Sequence, residues 1–456
     1  MSLPSEAPAE ARPVRSPDDL EAYFEEGGRP PADWRIGVEY ETPVVDAASG
    51  EAVPYEGPSG IEAVLKQLQE LGPWQPVTEE NRLIALRDGM ASITLEPGGQ
   101  VEMSGRPWST IHECRAELDS HTRALVQIER GLGVRFLGIG ITPSTPLERM
   151  PWMPKQRYRI MRQVMLHTGR LGHRMMQQTA TVQSNFDYQD EADARRKFRV
   201  AMGLAPILVA VSANSPVVDG RPTGYKSYRA HVWTDTDPSR CGILGFAFDT
   251  EALFHAYTQY ALDVPMYFIL REGRYVEAGG ISFRRFLREG LGPHRARIGD
   301  WTEHLATLFP ETRLKKYIEI RSPDGQPASL VLTTPALLKG LLYEDDCLTA
   351  AWDVLRGWPL DQRREAFELA ARQGLDARPG RHRLREYARE LVEIATEGLR
   401  RQAAVAEDGK DERVYLEPLA EMVAAGQSPA DLLPALDGDV QPLIDAASFT
   451  RGYSPP

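Results

Sequence analysis

An α+β fold, with a mostly antiparallel sheet flanked by helices and a helical C-terminal lobe, is predicted by three features of the 456-residue sequence. Between Leu83 and Gly105, apolar segments are separated by the turn signals Asp88-Gly89 and Pro97-Gly98-Gly99, the pattern of antiparallel strands joined by tight turns. From Thr110 to Gly131, the residues Ile111, Cys114, Leu118, Leu125 and Ile128 recur at three- and four-residue steps or their sums, the stripe of a long amphipathic helix. Beyond about residue 330 the apolar period is helical almost throughout, in ALLKGLLY, REAFELAARQG and LREYARELVEIATEGLRR. Strands and helices that segregate along the chain in this way define the α+β class.

Taken in order, residues 1–15 hold too little apolar bulk to offset the entropy of ordering and are expected to form a disordered tail. Ser16 followed by PDDL supplies a cap, a proline at the first helical position and two carboxylates ahead of Leu20, Tyr23 and Phe24, so a first helix runs to Gly27-Gly28. RIGVEYETPVVD alternates Val38 and Tyr40 with Glu39 and Glu41, a strand with two carboxylates on one face. A helix follows near 59–71, then the strands of 83–105 and the long helix from Thr110. VRFLGIGITP reads as a strand, 155–177 as a helix, TATVQSNFDY as a strand and Asp190 to Val211 as a long helix. Gly, Pro and Asn cluster at Ala213 to Pro216 and at Asp219 to Pro222, where the chain must turn. YRAHVWTDTDPSR and RLKKYIEIRSPDGQ supply further extended segments. Residues 16–330 are thus expected to form the body that carries the chemistry, and 331–456 a helical lobe packed on the same domain.

Composition narrows the class. With 53 Lys+Arg against 65 Asp+Glu the net charge is -12, which disfavours a general nucleic-acid binder, whose affinity rests on Lys and Arg. No apolar run approaches the roughly 18 residues of a membrane span, and the N-terminal segment lacks the apolar core of a signal peptide. Cys114, Cys241 and Cys347 lie far apart without a CxxC pair, so neither a disulfide framework nor a structural zinc site is expected, and a cytoplasmic location is the simplest reading.

Five constellations carry candidate chemistry. Glu39 and Glu41, two apart on a strand, share a face and can serve one Mg2+ site of hard oxygen ligands. Glu96, Gln100 and Glu102 surround a Pro-Gly-Gly turn that lets backbone approach a ligand closely. Thr181, Gln183 and Asn185 alternate along one strand face as neutral hydrogen-bonding groups. Arg229, His231 and Trp233 share one strand face, with Arg240 beyond them; guanidinium forks receive carboxylate and phosphate. Glu319 and Arg321 share a face before the Pro323-Asp324-Gly325 turn. Solvated strand faces and surface ion pairs are the bland explanations of each, but five together describe an acidic basin rimmed by arginines. The chain has no GxxxxGKS, GxGxxG, HExxH or GxSxG motif, so any ATP must be held by metals and arginines on a sheet.

The stretches IGVEYE, LEPGGQVEMSG, LGIGITP, MPKQRYRIMR, TATVQSNFDY, ANSP, YRAHVWTDTDPSR, ALDVPMYF, HLATLFPETRLKKYIEIRSPDG and GLLYEDD resemble, in this order, the glutamate-cysteine ligases of the plant and proteobacterial type. The resemblance implies a glutamine synthetase-like fold whose antiparallel sheet forms a funnel, and an ATP- and Mg2+-dependent joining of the glutamate side-chain carboxylate to the amine of cysteine through a γ-glutamyl phosphate. It implies metal-binding roles for Glu39, Glu41, Glu96, Glu102 and Glu319, and nucleotide or metal contacts for Gln183, Asn185 and Gln100. It implies substrate recognition by Trp233, Arg240, Arg229, Arg157 and Thr181, and charge neutralisation by Arg321 with catalytic parts for Arg240 and Glu319. Departures from the family pattern fall at Tyr40, Thr42, Pro43 and Ala180 and in IRSPDGQ. They are expected to touch pocket walls, which leaves a ligase using another acceptor amine as the alternative and a catalytically inactive binding scaffold as a lesser one. Small-molecule substrates and a monomer or homodimer are expected.

Overall fold

The computed structural model describes residues 11–452. Its centre is a sheet of eight strands: β1 (Ile36–Thr42), β2 (Gln75–Glu79), β3 (Arg82–Asp88), β4 (Ala91–Leu95), β5 (Val101–Ser104), β6 (Val182–Phe186), β7 (Thr312–Leu314) and β8 (Ile318–Ile320). They lie in the order β7-β8-β6-β1-β5-β4-β3-β2, every neighbouring pair antiparallel. The two sequence turn signals fall between β3 and β4 and between β4 and β5. At the second, Gly98 is required because a Cβ there would stand 1.9 Å from the Gln177 carbonyl oxygen.

Side chains alternate across the sheet. On one face Val38, Tyr40, Leu86, Ile93, Met103, Val182, Phe186, Ile318 and Ile320 are buried. They are covered by α2 (Ile61–Leu71), α3 (Ile111–Leu132), α6 (Glu191–Ser212) and the helix Thr333–Leu342. Thr110 starts α3 by accepting the Glu113 N–H, and Asp190 starts α6 by accepting the Asp193 N–H. One hydrophobic core runs from Val14 through the sheet to helices as late as Leu419 and to Phe449. The other face of the sheet is polar, and it carries the candidate site.

Several sequence expectations change. Arg229, His231 and Trp233 do not share a strand face: Tyr228–Thr234 is a helix, α7, because Ser227 Oγ accepts the Ala230 N–H and opens a helical turn. The helix expected over 155–177 is two, α4 (Gln156–Met165) and α5 (Gly172–Gln178), separated at Gly169, where a Cβ would meet the Thr236 carbonyl oxygen at 2.4 Å. Of VRFLGIGITP only Val134–Phe136 is a strand, paired with Val44–Asp46. β2 has no clear sequence signal; it is an exposed edge strand containing Pro76, where a missing N–H is tolerated. Of the expected tail, residues 1–10 lie outside the described residues. Pro13 instead bridges to Arg297, and Val14 donates its N–H to the Ala296 carbonyl at 3.0 Å, its side chain supplying enough apolar bulk to anchor the segment. No helix of the described residues is long and apolar enough to cross a membrane.

Candidate active site

The strand register assembles one polar row across the sheet. Arg313 on β7 faces Glu319 on β8, Glu319 faces Asn185 on β6, and Gln183 of the same strand faces Glu39 on β1. Glu41 on β1 faces Glu102 on β5, which faces Thr94 on β4. Residues opposite each other in antiparallel strands point to the same side, so segments far apart in sequence converge here. Asn185 Nδ2 donates to Glu39 at 2.7 Å, the Thr181 N–H to Glu41 at 3.1 Å, and Ser104 Oγ to Glu102 at 2.8 Å.

Glu319 is fully buried and surrounded by cations. One oxygen pairs with Arg313 and, at 2.6 Å, with Arg321; the other lies 2.8 Å from Lys315 Nζ. Burial opposes its ionisation, yet Arg313, Lys315 and Arg321 hold its carboxyl well below the usual range. Glu319, expected among the Mg2+ ligands, therefore has both oxygens engaged by protein cations and fixes Arg321, which also donates to Gln183.

Three of the remaining acids, Glu41, Glu96 and Glu39, have the opposite electrostatics. Burial first, then Glu96 and Glu102, push Glu41 well above the usual carboxylate range. Burial, then Glu102, pushes Glu96 up to about 7, and one Glu96 oxygen is buried with no hydrogen-bond partner. Burial and the charges of Glu319 and Glu102 raise Glu39. Crowded hard-oxygen donors of one sign fit a divalent cation such as Mg2+. Among the described residues no three His, Cys, Asp or Glu side chains converge as a ready-made cage.

Two cavities open on the row. The first is small and is lined by Glu41, Glu96, Glu102, Gln183, Arg313 and Arg321, with Thr181 and the methionines Met161, Met175 and Met176 among its walls. Helix α7 adds Arg229 and Trp233 to it, four residues apart and so on one helical face. The Arg229 guanidinium donates to the carbonyls of Ser322 at 3.0 Å and Arg321 at 2.9 Å, but its Nε has no partner; neither has the indole N–H of Trp233. Two buried, unpaired donors are costly unless a ligand accepts from them. The second cavity, about 630 Å³, includes Glu39 and Asn185 and is rimmed by Arg29, Arg35, Arg87, Lys315 and Lys316. The row thus divides a compact cavity with unpaired donors from a larger one rich in cations.

Other expected residues sit elsewhere. Arg240 does not line either cavity: its donors go to Asp237 at 2.6 Å, to the Thr307 carbonyl and to the Pro265 carbonyl, and it lies over Tyr267. It braces the core. Gln100 lines the first cavity, but its amide is spent on the Gly98 N–H at 3.0 Å and the Thr179 carbonyl at 2.8 Å, clasping the turn. Arg157 lies over Phe268 behind the first cavity, buried, with Nε and one Nη unpartnered. Tyr40 is on the core face, stacked on Phe449 at 5.5 Å, and neither it nor Thr42, Pro43 or Ala180 lines these cavities. Of the departures from the family pattern, the IRSPDGQ stretch alone reaches a wall of these two cavities, through Arg321. Sequence reasoning passed over Arg313 and Lys315, which reach Glu319 only once the turn between β7 and β8 is known.

Comparison with known proteins follows the geometry. A family model described as Glutamate-cysteine ligase family 2 matches residues 35–446. The chain is 39% identical over 435 residues to a chloroplastic glutamate-cysteine ligase of Nicotiana tabacum, covering 95% of this chain and 82% of the relative. It is 38% identical over 448 residues to the chloroplastic enzyme of Arabidopsis thaliana, covering 97% and 84%. Its fold is similar to that of a glutamate-cysteine ligase from Francisella tularensis solved in complex with AMP, with a TM-score of 0.52, 14% identity and coverage of 93% and 90%. The plant names correct the cytoplasmic expectation: such relatives are plastid proteins. Scattered cysteines report a reducing milieu and do not tell one reducing compartment from another.

Proposed function

The chain belongs to glutamate-cysteine ligase family 2, and from that membership we propose how its two cavities divide the family's reaction. The enzyme is an ATP-dependent ligase that joins L-glutamate to L-cysteine, the first step of glutathione synthesis. In our reading the first cavity takes the amino acids, the second takes ATP, and the γ-phosphoryl group crosses the polar row between them. The observation that carries this division is the pair of buried unpaired donors, Arg229 Nε and Trp233 Nε1, in the compact cavity, against five cationic side chains in the larger one.

A carboxylate is a poor electrophile, so it must be activated before an amine attacks. The γ-carboxylate oxygen of glutamate attacks the γ-phosphorus, the bond to the ADP oxygen breaks, and an acyl phosphate forms. The amine nitrogen of cysteine then attacks the acyl carbon and loses a proton; phosphate departs with the former carboxylate oxygen. Such transfers depend on positioning and charge neutralisation. Arg229 and Trp233 receive the glutamate α-carboxylate, with Thr181 beside them. Arg321, locked by Glu319 and Gln183, neutralises the transferring phosphoryl group, with Arg313 and Lys315 as its supports. Glu39, Glu41, Glu96 and Glu102 would hold Mg2+ with Asn185 orienting Glu39, and the metal would supply charge neutralisation for the phosphates. Both cavities are built from one chain, so a monomer suffices and a homodimer is equally compatible.

The test is incubation of the purified protein with ATP, Mg2+, glutamate and a panel of amines, with ADP and product mass measured. Formation of γ-glutamylcysteine with cysteine is expected. ADP formed only with another amine would contradict the acceptor, and no ADP with any amine would contradict the enzymatic reading.

A further inference from the structure

Helix α7 presents Arg229 and Trp233 to the first cavity, yet it is only seven residues long and held at its start by borrowed groups. Those groups converge on one carboxylate, Asp324, which is 1% exposed. Its Oδ2 accepts from the Asn214 N–H at 2.8 Å and from Ser215 Oγ at 2.7 Å, and its Oδ1 accepts from Ser227 Oγ at 2.8 Å. Each serine then accepts from the helix: Ser215 Oγ from the Arg229 N–H at 3.0 Å, and Ser227 Oγ from the Ala230 N–H at 3.1 Å.

An ionised carboxylate only accepts, so it fixes the single hydroxyl proton of each serine toward itself and leaves the lone pairs for the helix N–H groups. The same chain segment holds the far end of Arg229, since Arg321 and Ser322 supply the carbonyls that receive its guanidinium. Room for the carboxylate comes from Gly140, where a Cβ would stand 2.5 Å from Asp324 Cγ. The ANSP and LGIGITP stretches are thereby joined to the pocket although neither lines it.

We propose that Asp324 is a positioning residue for the amino-acid pocket: through Ser215 and Ser227 it sets the first turn of α7 and so aims Arg229 Nε and Trp233 Nε1 at the donor substrate. This rests on the reading that the first cavity binds glutamate. Asp324→Asn is the direct probe. An amide has one acceptor oxygen for two faces of the network, so one serine meets an N–H donor in its place and loses the acceptor that fixed its proton away from the helix.

The experiment measures steady-state ADP formation for the wild type, Asp324→Asn, Arg229→Lys and the double variant, with glutamate and ATP varied separately. Asp324→Asn is expected to raise the KM for glutamate at least about tenfold while the KM for ATP stays within about twofold, as befits loss of a charged hydrogen bond at one site. In the Arg229→Lys background the same change is expected to have little further effect, because Asp324 acts through Arg229. Ser227→Ala, a milder change, is expected to raise the glutamate KM by a smaller factor and serves if Asp324→Asn does not fold. An unchanged glutamate KM in a folded Asp324→Asn or Ser227→Ala protein, equal increases for glutamate and ATP, or full additivity with Arg229→Lys would overturn the proposal. Absence of glutamate-dependent ADP formation by the wild type would instead strike the functional reading beneath it.

Discussion

Glu319 shows how one buried charge can decide the character of a site. Its carboxylate sits among Arg313, Lys315 and Arg321, and both oxygens are occupied. Removing its charge leaves three cations crowded without a counterion, and breaking a buried pair of this kind costs about 3–5 kcal/mol. Glu319→Gln is therefore expected to reduce turnover by at least about a hundredfold, the scale seen when a transition-state charge partner is lost, and to lower the melting temperature. Unchanged turnover and melting in that variant would remove Glu319 from the clamp. Trp233→Phe is a gentler probe, since it keeps the apolar wall and removes only the N–H. The KM for glutamate should rise by about tenfold or more with the KM for ATP unchanged, which steady-state kinetics checks. At this scale the acids were legible from sequence because carboxylates at alternate positions among apolar residues are unusual. The partners of Arg240 were not legible, because a guanidinium near a recognition segment looks alike in sequence whatever it pairs with; here it pairs with backbone carbonyls and Asp237.

Elements with a strong local signature were read correctly, and those whose conformation is settled by tertiary partners were not. The long helices over 111–132 and 191–212 follow from apolar period and a side-chain cap, and β3 to β5 follow from alternation and Gly-rich turns. YRAHVWT carries aromatic and branched residues that favour a strand, yet it is helical because Ser227 caps it and Asp324 holds Ser227. The same dependence on partners appears where two helices of the C-terminal region cross. The helices Thr333–Leu342 and Leu384–Gln402 meet at Gly340 and Gly398, and a Cβ at Gly398 would lie 1.9 Å from the Gly340 carbonyl oxygen. Gly398→Ala is expected to force them apart and cost about 1–3 kcal/mol, read as a lower denaturation midpoint, although alanine is the better helix former. A midpoint equal to or above that of the wild type would contradict this crossing.

Across the whole molecule, one sheet separates a hydrophobic core from a polar face, and sequence alternation was enough to foresee both faces. It grouped the segments near residues 39, 102, 183 and 319 in one basin but did not order them across the sheet, because register between distant strands is fixed only by the complete fold. The core also sets a pH limit. Burial lowers His304 to about 3 and His121 to about 4, from an unfolded value near 6.5, so the folded protein keeps both neutral where the unfolded chain would protonate them. Unfolded protein then binds more protons below pH 6.5, and stability falls as pH falls, by about 2 kcal/mol per histidine at pH 5. Raised acids such as Glu96 act in the opposite sense over the same range, so urea midpoints at pH 7 and pH 5 check the histidine term by difference: His304→Asn should show a smaller loss, or a larger gain, than the wild type on going to pH 5. The acyl phosphate route at the centre of this reading is tested most directly by following oxygen. With glutamate labelled by 18O in its γ-carboxylate, ATP, Mg2+ and cysteine, an acyl phosphate intermediate requires one 18O atom to appear in each phosphate released, detected by mass spectrometry. Unlabelled phosphate formed together with γ-glutamylcysteine would contradict phosphoryl transfer across the polar row.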